Sequence, residues 1–105
     1  MINAKKELVE FLETNNTYPI MCAKIERWVN DELVKTVSLK KNYTKKDFKK
    51  FLAQLNFNYS DYKDFLEGYI WFSEDVWAER YYCKYDEKTY WQIVRKPQIP
   101  NDICK

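Results

Sequence analysis

Apolar positions over the first thirteen residues recur at helical spacing. Leu8, Phe11 and Leu12 fall on one face, and Asn3 stands where a cap would accept a first-turn amide. A helix over 3–13 follows, ended by Asn15-Asn16 and then by Pro19, which restarts the chain in extended form. From Ile20 the period changes to two. Met21, Ala23 and Ile25 point one way and Cys22, Lys24 and Glu26 the other; Asn30-Asp31 supplies turn chemistry; alternation then resumes with Leu33, Val37 and Leu39 on one side. This pattern predicts a hairpin over 20–39.

Thr44-Lys45-Lys46-Asp47 resembles a capping box with Asp in place of Glu, and Phe48, Phe51, Leu52 and Leu55 follow at i, i+3, i+4 and i+7. A second helix is expected there. Residues 56–68 read as loop, with Tyr62, Phe65 and Leu66 folding back onto the core. Alternation then predicts strands over 68–73, 76–84 and 89–95, joined by Ser73-Glu74-Asp75 and Asp86-Glu87-Lys88. The tail, Lys96-Pro97-Gln98-Ile99-Pro100, cannot pair as an interior strand. The order α-β-β-α-β-β-β points to one α+β domain over 1–105, an antiparallel sheet with its helices packed on one face. The other face is left to water or a partner.

The last three strands carry an excess of rings: nine of the 23 residues from Tyr69 to Trp91 are aromatic, among them Trp71, Trp77 and Trp91. Strand parity puts Val76, Ala78, Arg80 and Tyr82 on one face and Trp77, Glu79, Tyr81 and Cys83 on the other. The next strand divides into Tyr90, Gln92, Val94 and Trp91, Ile93, Arg95. Both faces carry rings and charge. Cross-strand ring pairs stabilise a sheet by only about 0.2–1 kcal/mol each, so stability alone hardly calls for so many. Large rings beside Arg and Glu are the composition of interface hot spots. Trp71, Trp77, Arg80, Tyr81, Tyr90, Trp91 and Arg95 are therefore the candidate protein-binding residues, with core and edge packing as the competing reading.

Composition sets the outer limits. At 105 residues, 46% hydrophobic and 32% charged, the chain is globular and long enough to bury its own core. The net charge of +2 argues for no particular partner, though it is uneven: 11 basic and 7 acidic residues over 1–55, 7 and 9 over 56–105. No apolar run approaches the ~20 residues of a membrane span, and Met1 to Lys6 has no signal-peptide character. Three unpaired-looking cysteines, Cys22, Cys83 and Cys104, fit a reducing compartment. A cytoplasmic protein is expected.

Enzyme chemistry finds little footing. Without histidine the commonest general base and metal ligand is missing, and one glycine cannot build a phosphate loop. Asp61, Asp64, Glu67, Glu74, Asp75 and Glu79 match no catalytic or metal spacing and read as solvated turns. No catalytic residue, cofactor or metal is called. Lys40, Lys41, Lys45, Lys46, Lys49 and Lys50 surround the second helix away from its apolar stripe and could meet phosphates, although an ordinary solvated helix face is the better account of them and no side chain there offers base readout.

Gly68-Tyr69-Ile70-Trp71-Phe72, Asp75-Val76-Trp77-Ala78-Glu79-Arg80, Tyr85-Asp86, Tyr90-Trp91 and Pro97-Gln98-Ile99-Pro100 together resemble a small family of phage-encoded proteins whose C-terminal half reads G-x-I-W, D-x-x-W-x-x-R, Y-D-G, W-W and P-x-I-P. Glu87 stands where the pattern has its hairpin glycine, Tyr90 replaces the first of the paired tryptophans, and Asp75-Val76 replaces an Asp-Gly turn. The resemblance covers residues 55–103 and implies a phage or prophage origin and a compact α+β fold. The family has no established activity, so no catalytic residue transfers. The expected function is a non-enzymatic binding protein, such as an inhibitor of a host defence system. A nucleic-acid accessory protein using the lysines and a virion or assembly component are the alternatives. A homodimer is left open.

Overall fold

The computed structural model describes residues 1–60 and 62–97; Asp61, Gln98-Ile99-Pro100 of the tail and Cys104 lie outside them. Helix α1 (Ala4–Thr14) begins where Asn3 accepts the Lys6 amide, and it stops at Asn15-Asn16, with Asn16 at φ 51° in the left-handed region that ends many helices. Helix α2 (Lys45–Gln54) opens on a full capping box: the Thr44 hydroxyl accepts from the Asp47 amide, and the Asp47 carboxylate accepts from the Thr44 amide. These termini are local chemistry, and both form as expected.

The described residues form seven strands besides the helices. Two are short: β1 (Ile2–Asn3) pairs with β4 (Asn58–Tyr59). The other five, β2 (Cys22–Val29), β3 (Glu32–Leu39), β5 (Asp64–Trp71), β6 (Val76–Cys83) and β7 (Lys88–Arg95), form one antiparallel sheet in the order β3-β2-β5-β6-β7. Asn30 and Asp31 both adopt positive φ, 51° and 65°, the backbone of a type I′ turn that matches the twist of β2 and β3. The predicted α+β architecture is present, with both helices on one face.

Two expectations need correction. The stretch 56–68 is not a loop: β4 and five further residues of β5 lie within it, and Asp64 to Trp71 pairs with β2 along its whole length. Gly68, inside β5, is required there. Its φ is 143°, and a Cβ there would stand 2.2 Å from the Lys24 carbonyl oxygen. Leu33 does not share a side with Val37 and Leu39. A bulge sets Arg27 opposite Lys35 but Trp28 opposite Leu33, so Val34 has no opposite number and Leu33 turns to the other face.

The core is one-sided. Ala23, Ile25, Val37, Leu39, Leu66, Ile70, Ala78 and Trp91 face Ala4, Leu8 and Leu12 of α1 and Phe51 of α2, and every buried sheet residue belongs to this face. Among the described residues no helix lies over the opposite face. Among the described residues, no helix is long and apolar enough to cross a membrane.

Candidate binding face

Strand pairing lays the open face out in rows. Cys22, Trp71, Trp77 and Val94 form one row, then Ser38, Lys24, Tyr69, Glu79 and Gln92, then Thr36, Glu26 and Glu67, then Leu33, Trp28 and Phe65. The Trp71 and Trp77 rings stand 5.1 Å apart, with Tyr69 stacked 6.3 Å from Trp71. Tyr81 and Tyr90, directly paired on β6 and β7, make a second ring contact at 6.0 Å. Of the sequence-predicted residues, Trp71, Trp77, Tyr81 and Tyr90 thus share one solvent-facing surface. Trp28, Phe65 and Tyr69 join them: Phe65 lies in the stretch whose pattern reads as loop, and only the pairing of β2 with β5 sets Trp28 beside it. Tyr69 is 50% exposed and Tyr81 38%, while Trp28, Phe65, Trp71, Trp77 and Tyr90 are half-buried, the Trp28 indole nitrogen being buried without a hydrogen-bond partner.

Arg80 and Trp91 belong elsewhere. Both lie on the covered face, the Arg80 side chain 5% exposed and Trp91 6%. They are withdrawn from the binding set. The paired residues Arg80 and Trp91 sit under α1, where the sheet forks: β5 and β6 are hydrogen-bonded only from Tyr69/Glu79 to Trp71/Trp77, and beyond that the β6–β7 hairpin diverges. The Arg80 guanidinium fills the gap. Its Nη1 donates to Glu7 Oε1 at 2.8 Å, and its Nη2 donates to the Tyr59 hydroxyl at 2.8 Å and to Thr89 Oγ1 at 2.6 Å. The group also lies 5.1 Å from the Trp91 ring centre, a cation–π distance. Tyr59, fully buried, donates to the same Glu7 oxygen, and burial raises its pKa. The arrangement ties α1, β4, β6 and β7 together. Arg95, at the exposed end of β7 opposite Val76, shares the parity of Trp91 and not of the open rings.

At the hairpin end the Tyr90 hydroxyl donates to the Asp86 carboxylate. That bond pushes the Tyr90 pKa up to about 12 and holds Asp86 below the usual carboxylate range, fixing one edge of the open face.

Compared with family models, with curated proteins and with solved structures, the chain matches none. The site is therefore judged on its own geometry.

Other candidates are placed as follows. Lys40, Lys41, Lys45, Lys46, Lys49 and Lys50 are all exposed, and none makes an ion pair among the described residues. They cluster around the N-terminal half of α2, on the helical side of the molecule. Cys22 and Cys83 are half-buried thiols on the open face. Among the described residues no three His, Cys, Asp or Glu side chains converge as a metal site. A groove of about 610 Å³ runs between α1 and β7, walled by Phe11, Tyr90 and Trp91 with Glu7 and Lys6 at its edge.

Proposed function

We propose that this is a non-enzymatic binding protein whose open sheet face recognises a protein partner. The observation that carries the reading is the one-sided burial: the face with Trp28, Tyr69, Trp71, Trp77, Tyr81 and Tyr90 contributes nothing to the core. Ring-rich, uncovered surface of this kind is the composition of interface hot spots. On the resemblance noted above, the setting is a phage or prophage and the partner a host or phage protein, with inhibition of a host defence system as the working role.

The test is affinity capture with the intact protein, compared with Trp77→Ala and Tyr81→Ala. A partner retained by the parent and lost by both variants, each still folded by circular dichroism, is the expected outcome. Retention by both variants sinks the reading. A second reading, nucleic-acid binding, is favoured by the six exposed lysines about α2, none of which makes an ion pair among the described residues. It predicts affinity for DNA or RNA that falls by about 10³-fold or more between low and moderate salt if six phosphates are engaged.

A further inference from the structure

We propose that the outer edge of β7 takes up an extended segment of another protein as a sixth strand of the large sheet. That segment carries apolar residues at alternate positions and an acidic residue at each end. The site is separate from the open face and goes beyond the reading of it. The composition of the edge, the groove beside it and the charges at its ends point to this occupant.

The five-stranded sheet has two edges, β3 and β7, and they are built differently. β3 carries the features that keep an edge from pairing with other chains. The bulge at Val34 breaks its ladder, Glu32 and Lys35 lie within the strand, and the Lys35 ammonium donates to the Gln54 carbonyl of α2. β7 is regular, with eight successive pairs to β6 from Lys88 opposite Cys83 to Arg95 opposite Val76. Between its ends it reads Thr-Tyr-Trp-Gln-Ile-Val, uncharged and rich in β-branched and aromatic strand formers. From Tyr90 to Arg95 the outward amides and carbonyls of such a strand are the template that strand addition uses.

The edge opens onto a groove. About 610 Å³ lie between α1 and β7, lined on one side by Ile2, Lys6 and Phe11 and on the other by Lys88, Tyr90 and Trp91. Trp91 belongs to the covered face and Lys88 and Tyr90 have the opposite parity, so the groove reaches round the outer edge of the strand. Side chains of an added strand alternate between faces in the same way. Beside Tyr90 and Trp91 every second one enters the groove against the Phe11 and Trp91 rings, which suits an apolar residue there.

Charge selects among occupants. The charged residues of β7 are Lys88 and Arg95, one at each end and both exposed. Residues directly opposite on neighbouring strands lie about 5 Å apart, where unlike charges attract and like charges weaken the pairing. A second copy of this chain, added antiparallel along the whole of β7, would set Lys88 of each copy against Arg95 of the other. A segment with acidic ends answers both. Of the carboxylates near the Lys88 end, Glu7 is held by Arg80 and Asp86 by Tyr90, and Glu10 lies across the groove on α1.

The test titrates the whole protein with fluorescein-labelled peptides, read by anisotropy at about 0.15 M salt, where the Debye length is about 8 Å. The probes are Glu-Val-Thr-Val-Thr-Val-Thr-Glu, the same peptide with lysine at both ends, and two forms of the first that are N-methylated on complementary sets of alternate residues. The glutamate-ended peptide is expected to bind saturably, and the lysine-ended one at least about fivefold more weakly. Lys88→Glu with Arg95→Glu is expected to reverse that preference. The charge-matched pair Lys24→Glu with Lys63→Glu, outside β7, is expected to leave it in place. Alternate amides of an added strand point at its neighbour, so one methylated form should lose about tenfold or more and the other should stay within about threefold. A smaller preference, a reversal by the second pair as well, no reversal by the first, equal effects of the two methylations, or binding of no peptide overturns the proposal. So does a dimer in sedimentation equilibrium that the peptide splits, which would give the edge to a second copy. Binding that is seen only after residues 98–105 are removed overturns it too, since the edge would then belong to the chain's own tail.

Discussion

On the covered face of the sheet the buried charge of Arg80 is answered at both terminal nitrogens, with only its Nε left without a hydrogen bond; on the open face Glu26, Glu67 and Glu79 make no ion pair among the described residues and stand beside half-buried and exposed rings. Arg80 has Glu7, Tyr59 and Thr89 at hydrogen-bond distance and a ring beneath it, and Arg27 is held bidentately by Asp64 at 2.9 and 2.7 Å over Phe57. Glu26 opposes Glu67, and neither makes an ion pair among the described residues. The same strands supply both faces, residue by alternate residue, so composition cannot be the cause. One surface carries the core and the answered charges, and the other carries opposed carboxylates and rings outside the core, which is the reason the open face is proposed as a site.

That comparison breaks most visibly if the two tryptophans of the β6–β7 hairpin respond alike to truncation. Trp91→Ala is expected to cost about 3–5 kcal/mol, the range for emptying a buried ring site, and Trp77→Ala no more than about 1.5, the worth of its ring contact with Trp71. Urea denaturation of both variants reads the difference, and equal midpoints would mean that the open rings are a second core. Next in size is the charge inside the covered face. Arg80→Met is expected to destabilise by about 3 kcal/mol because Glu7 is left largely desolvated without its cation, whereas Glu79→Gln across the sheet is expected to change stability by less than about 0.5 kcal/mol. Gly68→Ala follows at about 2–3 kcal/mol, from the added Cβ against the Lys24 carbonyl and the positive φ. It is expected to close the fork as well as weaken the fold.

How far these two faces were legible in the sequence depends on how local their causes are. The caps at Asn3 and Thr44 and the turn at Asn30-Asp31 are set by residues within four of one another, and they stand as read. Parity alone divided β6 and β7 correctly between faces. It could not say which face the helices would cover, and so Arg80 and Trp91 were grouped with rings that look the other way. The bulge at Val34 and the opposition of Glu26 to Glu67 exist only once β2, β3 and β5 are in register, across sequence separations that no local pattern records. Asp64, Glu67 and Gly68 hid the start of β5 because charges and glycine are poor strand formers, and only pairing with β2 overrules them. The Glu7–Tyr59–Arg80 link joins residues 73 positions apart and left no signal.

The smallest expected effect lies at the N-terminus of α2, beneath the lysine cluster, and it separates a capping carboxylate from the two opposed on the open face. Asp47 accepts the Thr44 amide, and that bond, followed by the Thr44 hydroxyl, holds its pKa below the ordinary value. A carboxyl with a depressed folded pKa adds stability that is present in full above its unfolded value of 3.8 and is lost as pH falls through the folded value. The midpoint of the parent should therefore decline on acidification below about pH 4, and Asp47→Asn should flatten that decline while lowering the midpoint at neutral pH. Glu26→Gln with Glu67→Gln is expected to do the reverse at neutral pH, raising the midpoint, because those two carboxylates repel each other and cap nothing. Thermal melts of the three proteins at pH 7 and pH 3 make the comparison; a fall in the neutral midpoint for the glutamine pair would place Glu26 and Glu67 with Asp47 among the groups that hold the fold together.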